Sequence, residues 1–242
     1  MSFEKKAVSS HPPRVTSAEA MLDTILEMGI VPFFENIIPG YSIEEMTPAG
    51  NWFDTQENLT FTPWDWKIHC VQSGEIAYGK FLLGGKAAFA TLEWFRELRH
   101  YRQSLEKYQP DAPQKQVLDY LNSNGSIGIK EIRGLLGVKK GQADALVTRL
   151  MMQCRVLTGD ITRVYRGPDL HYNGWQTSSF CTPEALFDTG RAPFAGFPGF
   201  PFEEDEGLQV SHSPEESYRL LTAKIRSLAP EATDCQIAKL LD

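Results

Sequence analysis

Six polar residues between positions 139 and 166 are of the types that bind polyanions: Lys139, Lys140, Gln142, Arg149, Arg163 and Arg166. Lysine and arginine neutralise phosphates and release their counterions. Glutamine pairs bidentately with adenine and arginine with guanine at base edges. The surrounding charge points the same way. From Gly128 to Arg166 eight Lys and Arg face three acids, a local excess of +5 in a chain whose formal net charge is −7. Such focusing is the footprint of a local anion site rather than of a general coat for nucleic acid. Lys139, Lys140, Arg163 and Arg166 are therefore expected to neutralise phosphate, with Gln142 and Arg149 as base readers.

A second cluster lies upstream, where Trp52, Trp64 and Trp66 fall close together among Asp54, Asp65 and Lys67. Trp64, Asp65 and Trp66 make a candidate pocket, because an aromatic face stacks on a nucleobase. Large rings with a polar edge also fill the junction between two packed layers, and packing is the preferred expectation.

Other chemistries find no support. The five histidines stand in unrelated contexts without metal-ligand spacing, and Cys70, Cys154, Cys181 and Cys235 form no C-x-x-C pair. Neither metal nor cofactor is expected, and the thiols read as reduced and structural. There is no G-x-S-x-G elbow, Walker loop or dinucleotide fingerprint, so the catalytic residues, if any, are unknown. The first residues lack an apolar signal core and no run is long enough to span a bilayer. A cytoplasmic protein without membrane contact is expected.

The elements that must position the cationic residues are legible from periodicity. Gln114, Val117, Leu118 and Leu121 mark a helix ending at Asn124-Gly125. A short segment follows at 126–128, then a helix with Ile132, Leu135 and Leu136 on one face, stopped by Gly137. Ala143, Leu146, Val147, Leu150 and Met151 give the i, i+3, i+4, i+7, i+8 stripe of a third helix. Beyond it, 156–165 and 175–181 lean to strand around a Gly167-Pro168-Asp169 break, a hairpin with a long tip. Helix, short strand, helix, helix and hairpin is the order of a winged helix, whose third helix enters the DNA major groove.

The rest of the chain suggests an α+β protein in which this winged-helix domain (113–190) packs with an N-terminal α/β region (16–108) and a C-terminal helical pair (213–242). Residues 1–15 read as a disordered lead-in, and 191–212 as a Pro/Gly/Phe-rich and acidic strap with Phe194, Phe197, Phe200 and the acids Glu203 to Glu206. In the N-terminal part a capping box at Thr16 to Glu19 opens a helix. Pro32 argues against a central strand at 30–34. Gly84-Gly85 suits a tight hairpin turn. Arg96, Arg99 and Arg102 on the next helix, with Lys80 and Lys86, either extend the basic surface toward the winged helix or form a solvated helix face, and the sequence fits both equally.

Five segments, Leu22 to Phe34, Pro63 to Lys67 (PWDWK), Ala77 to Phe81, Thr148 to Gln153 and Thr182 to Phe187, resemble bacterial AlkZ-related winged-helix proteins and, more distantly, the winged-helix DNA glycosylases that unhook interstrand crosslinks. The resemblance implies DNA as partner and a link to DNA repair. Those glycosylases share a glutamine-centred Q-x-Q or Q-x-D motif after an N-terminal helix. Here the corresponding stretch, Leu26 to Glu35, has only Glu27 and Glu35. The expected function is thus duplex DNA binding through helix 139–153 and hairpin 155–181. The alternatives are an active or degenerate DNA glycosylase, and a winged-helix module that binds another protein.

Overall fold

The computed structural model describes residues 14–52, 62–187 and 207–242. The Pro/Gly/Phe strap at 191–201, the acids at 203–206 and the lead-in through residue 13 lie outside the described residues. Among the described ones, Val15 is already fully buried, so packing begins slightly before the expected boundary.

Helix α1 (Ala18–Met28) starts where Ser17 Oγ accepts from Ala20 N at 3.1 Å, and buries Met21, Ile25 and Met28. It leads into strand β1 (Ile30–Pro32), which pairs antiparallel with β3 (Lys86–Thr91), itself paired with β2 (Ile76–Leu82). The sheet order is β1-β3-β2. Pro32 therefore sits on an edge strand, where a missing N–H breaks no central ladder. The β2–β3 turn is centred one residue earlier than the glycine pair suggests: Gly85 N donates to Leu82 O at 3.0 Å, and Leu83 and Gly84 take φ values of 48° and 63°. Helix α2 (Pro63–Gln72) opens on Pro63 and carries the PWDWK residues, while α3 (Leu92–Gln103) leaves β3 directly.

Helix α4 (Ala112–Asn124) is capped reciprocally by Asp111 and Gln114. Strand β4 (Ile127–Gly128), α5 (Ile129–Leu136), α6 (Lys140–Met152), β5 (Leu157–Arg166) and β6 (His171–Cys181) follow. The second antiparallel sheet has the order β4-β6-β5. Its strands pair out to Arg166 and His171, so the hairpin tip spans only 167–170 and is shorter than its sequence suggested. Val117, Leu121, Ile132, Val147, Leu150 and Phe180 form a small core of this unit.

The larger core joins the N-terminal region, the base of the hairpin and the C-terminal helices. Phe33, Phe89 and Phe95 join Cys154, Leu157 and Cys181 from the base of the hairpin. Leu221, Ile237 and Leu240 complete it from α8 (Pro214–Leu228) and α9 (Asp234–Leu241). Helix α7 (Pro183–Phe187) adds Leu186 and Phe187. The architecture is mixed α+β with two small sheets.

Arg102 departs from expectation. It is fully buried. Its guanidinium donates to Leu241 O from Nε (3.2 Å) and Nη2 (2.6 Å), and to Met152 O from Nη1 at 2.8 Å. It therefore fastens the last turn of α9 to the end of α6, because helix C-termini leave carbonyls without partners inside the helix. Arg99 is held by Glu184. Neither arginine extends a basic surface. The four cysteines are free thiols and three are buried. No helix among the described residues is long and apolar enough to cross a membrane.

Candidate nucleic-acid interface

One stripe of α6, Lys140, Asp144, Val147, Thr148 and Met151, repeats at helical spacing and forms a wall of a groove of about 860 Å³. The start of α5 stands beside it with Ile129, Lys130 and Arg133. Opposite lies the outer part of the β5–β6 hairpin, including Arg166 and Trp175, and β2 closes one side with Tyr78, Gly79 and Lys80. The contact with β2 is close: Lys80 N donates to Met151 Sδ at 3.3 Å. At Gly85, which has a φ of +95°, an added Cβ would stand 2.9 Å from Thr148 Cγ2. Only glycine lets the β2–β3 turn approach α6 this far.

Five cations line the groove, Lys80, Lys130, Arg133, Lys140 and Arg166, against one carboxylate, Asp144. All five are solvent-exposed. Among the described residues none of the five is engaged in an ion pair. Their charge is therefore uncompensated locally, and a concave low-dielectric wall concentrates its field. The Arg166 guanidinium lies 5.6 Å from the centroid of the Trp175 ring, a cation over an aromatic face.

The residues singled out from sequence fall into three places. Lys140 and Arg166 line the groove. Lys139, Gln142 and Arg149 are exposed but lie outside the lining, and Gln142 Oε1 accepts from Lys139 N at 3.0 Å, capping the first turn of α6. Arg163 faces the N-terminal region, where its Nε donates to Asp65 Oδ1 at 3.1 Å.

None of Trp64, Asp65 and Trp66 lines the groove, and Trp64 and Asp65 meet the hairpin instead. Asp65, 7% exposed, also accepts from Tyr172 Oη at 2.6 Å and from Gln176 Nε2 at 3.4 Å. Lys67 Nζ donates to Gln176 Oε1 at 2.7 Å and to Trp64 O at 2.9 Å. Ile68, Val71 and Ile161 form a small apolar seam beneath these bonds. Trp66 belongs to the main core, and Trp64 packs edge-on to Phe33 with centroids 5.7 Å apart. The whole segment clasps the hairpin to α2 through its paired charges and amides. Burial lowers the Lys67 pKa to about 8, although the neighbouring Asp65 charge pulls it upward.

Lys130, Arg133 and Trp175 were not singled out from sequence. The two cations were visible only as part of a charge count, because their place beside α6 depends on how α5 turns after β4. Trp175 had a usable signal: a large ring in an otherwise polar strand, Tyr172 to Ser179.

A family model described as AlkZ-related matches residues 15–242. The chain belongs to the AlkZ-related family. No curated protein and no solved structure matches it. Two of the five segments that carry the AlkZ-related resemblance line the groove, and a third holds the hairpin beside it. PWDWK is the clasp, AYGKF is the β2 wall, and TRLMMQ is the end of α6, where Thr148 and Met151 line the groove. Gln153 is buried and donates to Gln114 Oε1 at 2.8 Å. Glu27, which pairs with Arg14 at 3.0 Å, and Glu35 lie outside the groove lining. Among the described residues no group of three His, Cys, Asp or Glu is placed to hold a metal ion.

Proposed function

We propose that the unit from α4 to β6 works as a winged helix, and that the protein binds DNA through the cationic groove between α5, α6 and the hairpin. The observation that carries this reading is the set of five exposed cations around one concavity with a single carboxylate. Phosphodiester anions are the ligand that such a groove attracts most strongly. Membership of the AlkZ-related family supports DNA as the partner and extends the reading to DNA repair.

Lys140 and Arg166 neutralise phosphates from within the groove, joined by Lys80, Lys130 and Arg133. Gln142 and Arg149 lie on the face of α6 turned away from the groove stripe, with Lys139 at the helix start, so contacts they make with DNA fall outside the groove. Arg163 acts as a positioning residue, since the hydrogen bond to Asp65 holds the hairpin at its distance from α6.

Fluorescence anisotropy with a labelled DNA of mixed sequence tests the assignment. Lys140→Glu/Arg133→Glu, which reverses two groove charges, is expected to abolish binding at low salt. Lys139→Glu/Arg149→Glu, which makes the same charge change outside the groove, is expected to weaken it far less. Equal losses in the two variants would place the interface elsewhere on α6.

A further inference from the structure

Trp175 is 58% exposed. Among the described residues no other tryptophan is as exposed, the next being Trp64 at 46%. An indole kept in water on a strand forgoes the apolar burial that otherwise dominates ring placement. Here the ring borders the cationic groove and carries Arg166 beside it.

Between its cations the groove is lined by apolar as well as polar residues. Tyr78, Ile129, Val147, Met151, Val164 and Phe180 make up the apolar part. A duplex offers phosphates, sugars and base edges to a protein surface but keeps its base faces stacked inside, so an exposed ring in the groove has no base face to stack on there. A single strand presents both parts at once, bases to stack on rings and phosphates to meet cations. Steric access agrees. The β2–β3 turn touches α6 at Thr148 and Met152, so this stripe of the helix forms the wall of a trough and cannot enter a major groove about 12 Å wide.

We propose that the groove takes a single-stranded or locally unpaired segment of nucleic acid, with one base stacked on Trp175 and the flanking phosphates held by Lys140, Arg133 and Arg166. This rests on the nucleic-acid reading of the groove and specifies its substrate class. The clasp from Asp65 and Lys67 to Tyr172 and Gln176 holds the strand that bears Trp175 against α2, which presents the ring in a fixed position.

The test uses the full chain with a labelled single strand of mixed sequence and the matching blunt duplex, measured at one salt concentration. Wild type is expected to bind the single strand more tightly than the duplex and to show quenched tryptophan emission. Trp175→Ala is expected to lose about tenfold in affinity for the single strand and little for the duplex, within the range measured for base–aromatic stacks. Trp175→Phe should keep most of the affinity, because it keeps a ring face. Duplex binding equal to or tighter than single-strand binding, or a Trp175→Ala variant indistinguishable from wild type on the single strand, would overturn the proposal. Either result would leave the groove's DNA reading standing if the Lys140→Glu/Arg133→Glu variant still fails to bind. Absence of binding to any strand by wild type at low salt would remove both.

Discussion

Arg163 Nε lies 3.1 Å from Asp65 Oδ1, across the seam between β5 and α2. A cation from the hairpin is thus committed to the N-terminal region, and a carboxylate that looked like a pocket acid is the acceptor for Arg163, Tyr172 and Gln176. The hairpin is placed by this clasp, and the groove's opening follows from it.

Asp65→Ala is expected to destabilise the protein by about 3 kcal/mol, since it removes the buried carboxylate that accepts from Arg163, Tyr172 and Gln176. Arg163→Ala should cost less, about 1–2 kcal/mol, because Tyr172 and Gln176 still donate to the carboxylate. Urea denaturation of the two variants gives both numbers. Equal and negligible losses would mean that the apolar seam of Ile68, Val71 and Ile161 holds the hairpin alone.

Lys67 sets a pH dependence. Its folded pKa of about 8 lies below the ordinary lysine value of 10.5, so between pH 8 and 10 the unfolded chain holds a proton that the folded one has released. Stability from this group therefore rises with pH across that window. The buried thiols of Cys70 and Cys181, pushed by burial up to about 12, act in the opposite sense above pH 9, since only the unfolded thiols ionise there. Comparing wild type with Lys67→Met isolates the lysine. The difference in unfolding free energy is expected to move by about 2 kcal/mol in favour of wild type between pH 7 and 9.5. A constant difference would show that Lys67 titrates normally.

Much of the fold was readable locally, and the reasons for the misses are physical. Capping residues announce themselves in sequence, though not always in register: the sequence suggests a box at Thr16 to Glu19, whereas Ser17 is the N-cap of α1, and Asp111, Ser213 and Thr233 cap α4, α8 and α9. The order of elements from α4 to β6 followed from a change of hydrophobic period. What was not readable is which partner a charged side chain finds more than about a hundred residues away. Arg102 looks like one more solvated cation on an amphipathic helix, yet its partner is the end of α9. Arg163 and Lys140 both read in sequence as cations of one basic module. Only tertiary packing separates the clasp residue from the groove residue.

Arg102→Met removes the donors to Leu241 and Met152 while keeping most of the side-chain volume. A loss of about 3 kcal/mol is expected, because buried carbonyls at two helix ends are left without partners. Limited proteolysis should then cut first near α9. Unchanged thermal stability would contradict the role of Arg102 as the fastening of that helix.

Asp144 is the one carboxylate in the groove lining among the described residues. Asp144→Asn is expected to tighten nucleic-acid binding about two- to fivefold at low salt, with the gain shrinking as salt screens it. Weaker binding would point instead to a direct role for the carboxylate with the ligand.

The salt dependence of affinity tests the central claim most directly. For wild type, the logarithm of the DNA association constant should fall steeply and linearly with the logarithm of salt concentration, with a slope set by the number of phosphates neutralised. Reversing only Lys140, as Lys140→Glu, should weaken binding and flatten the slope by about one phosphate's worth, roughly 0.7 to 0.9. A flat wild-type line, or a slope that Lys140→Glu leaves unchanged, would contradict the assignment of the groove as the site of phosphate binding.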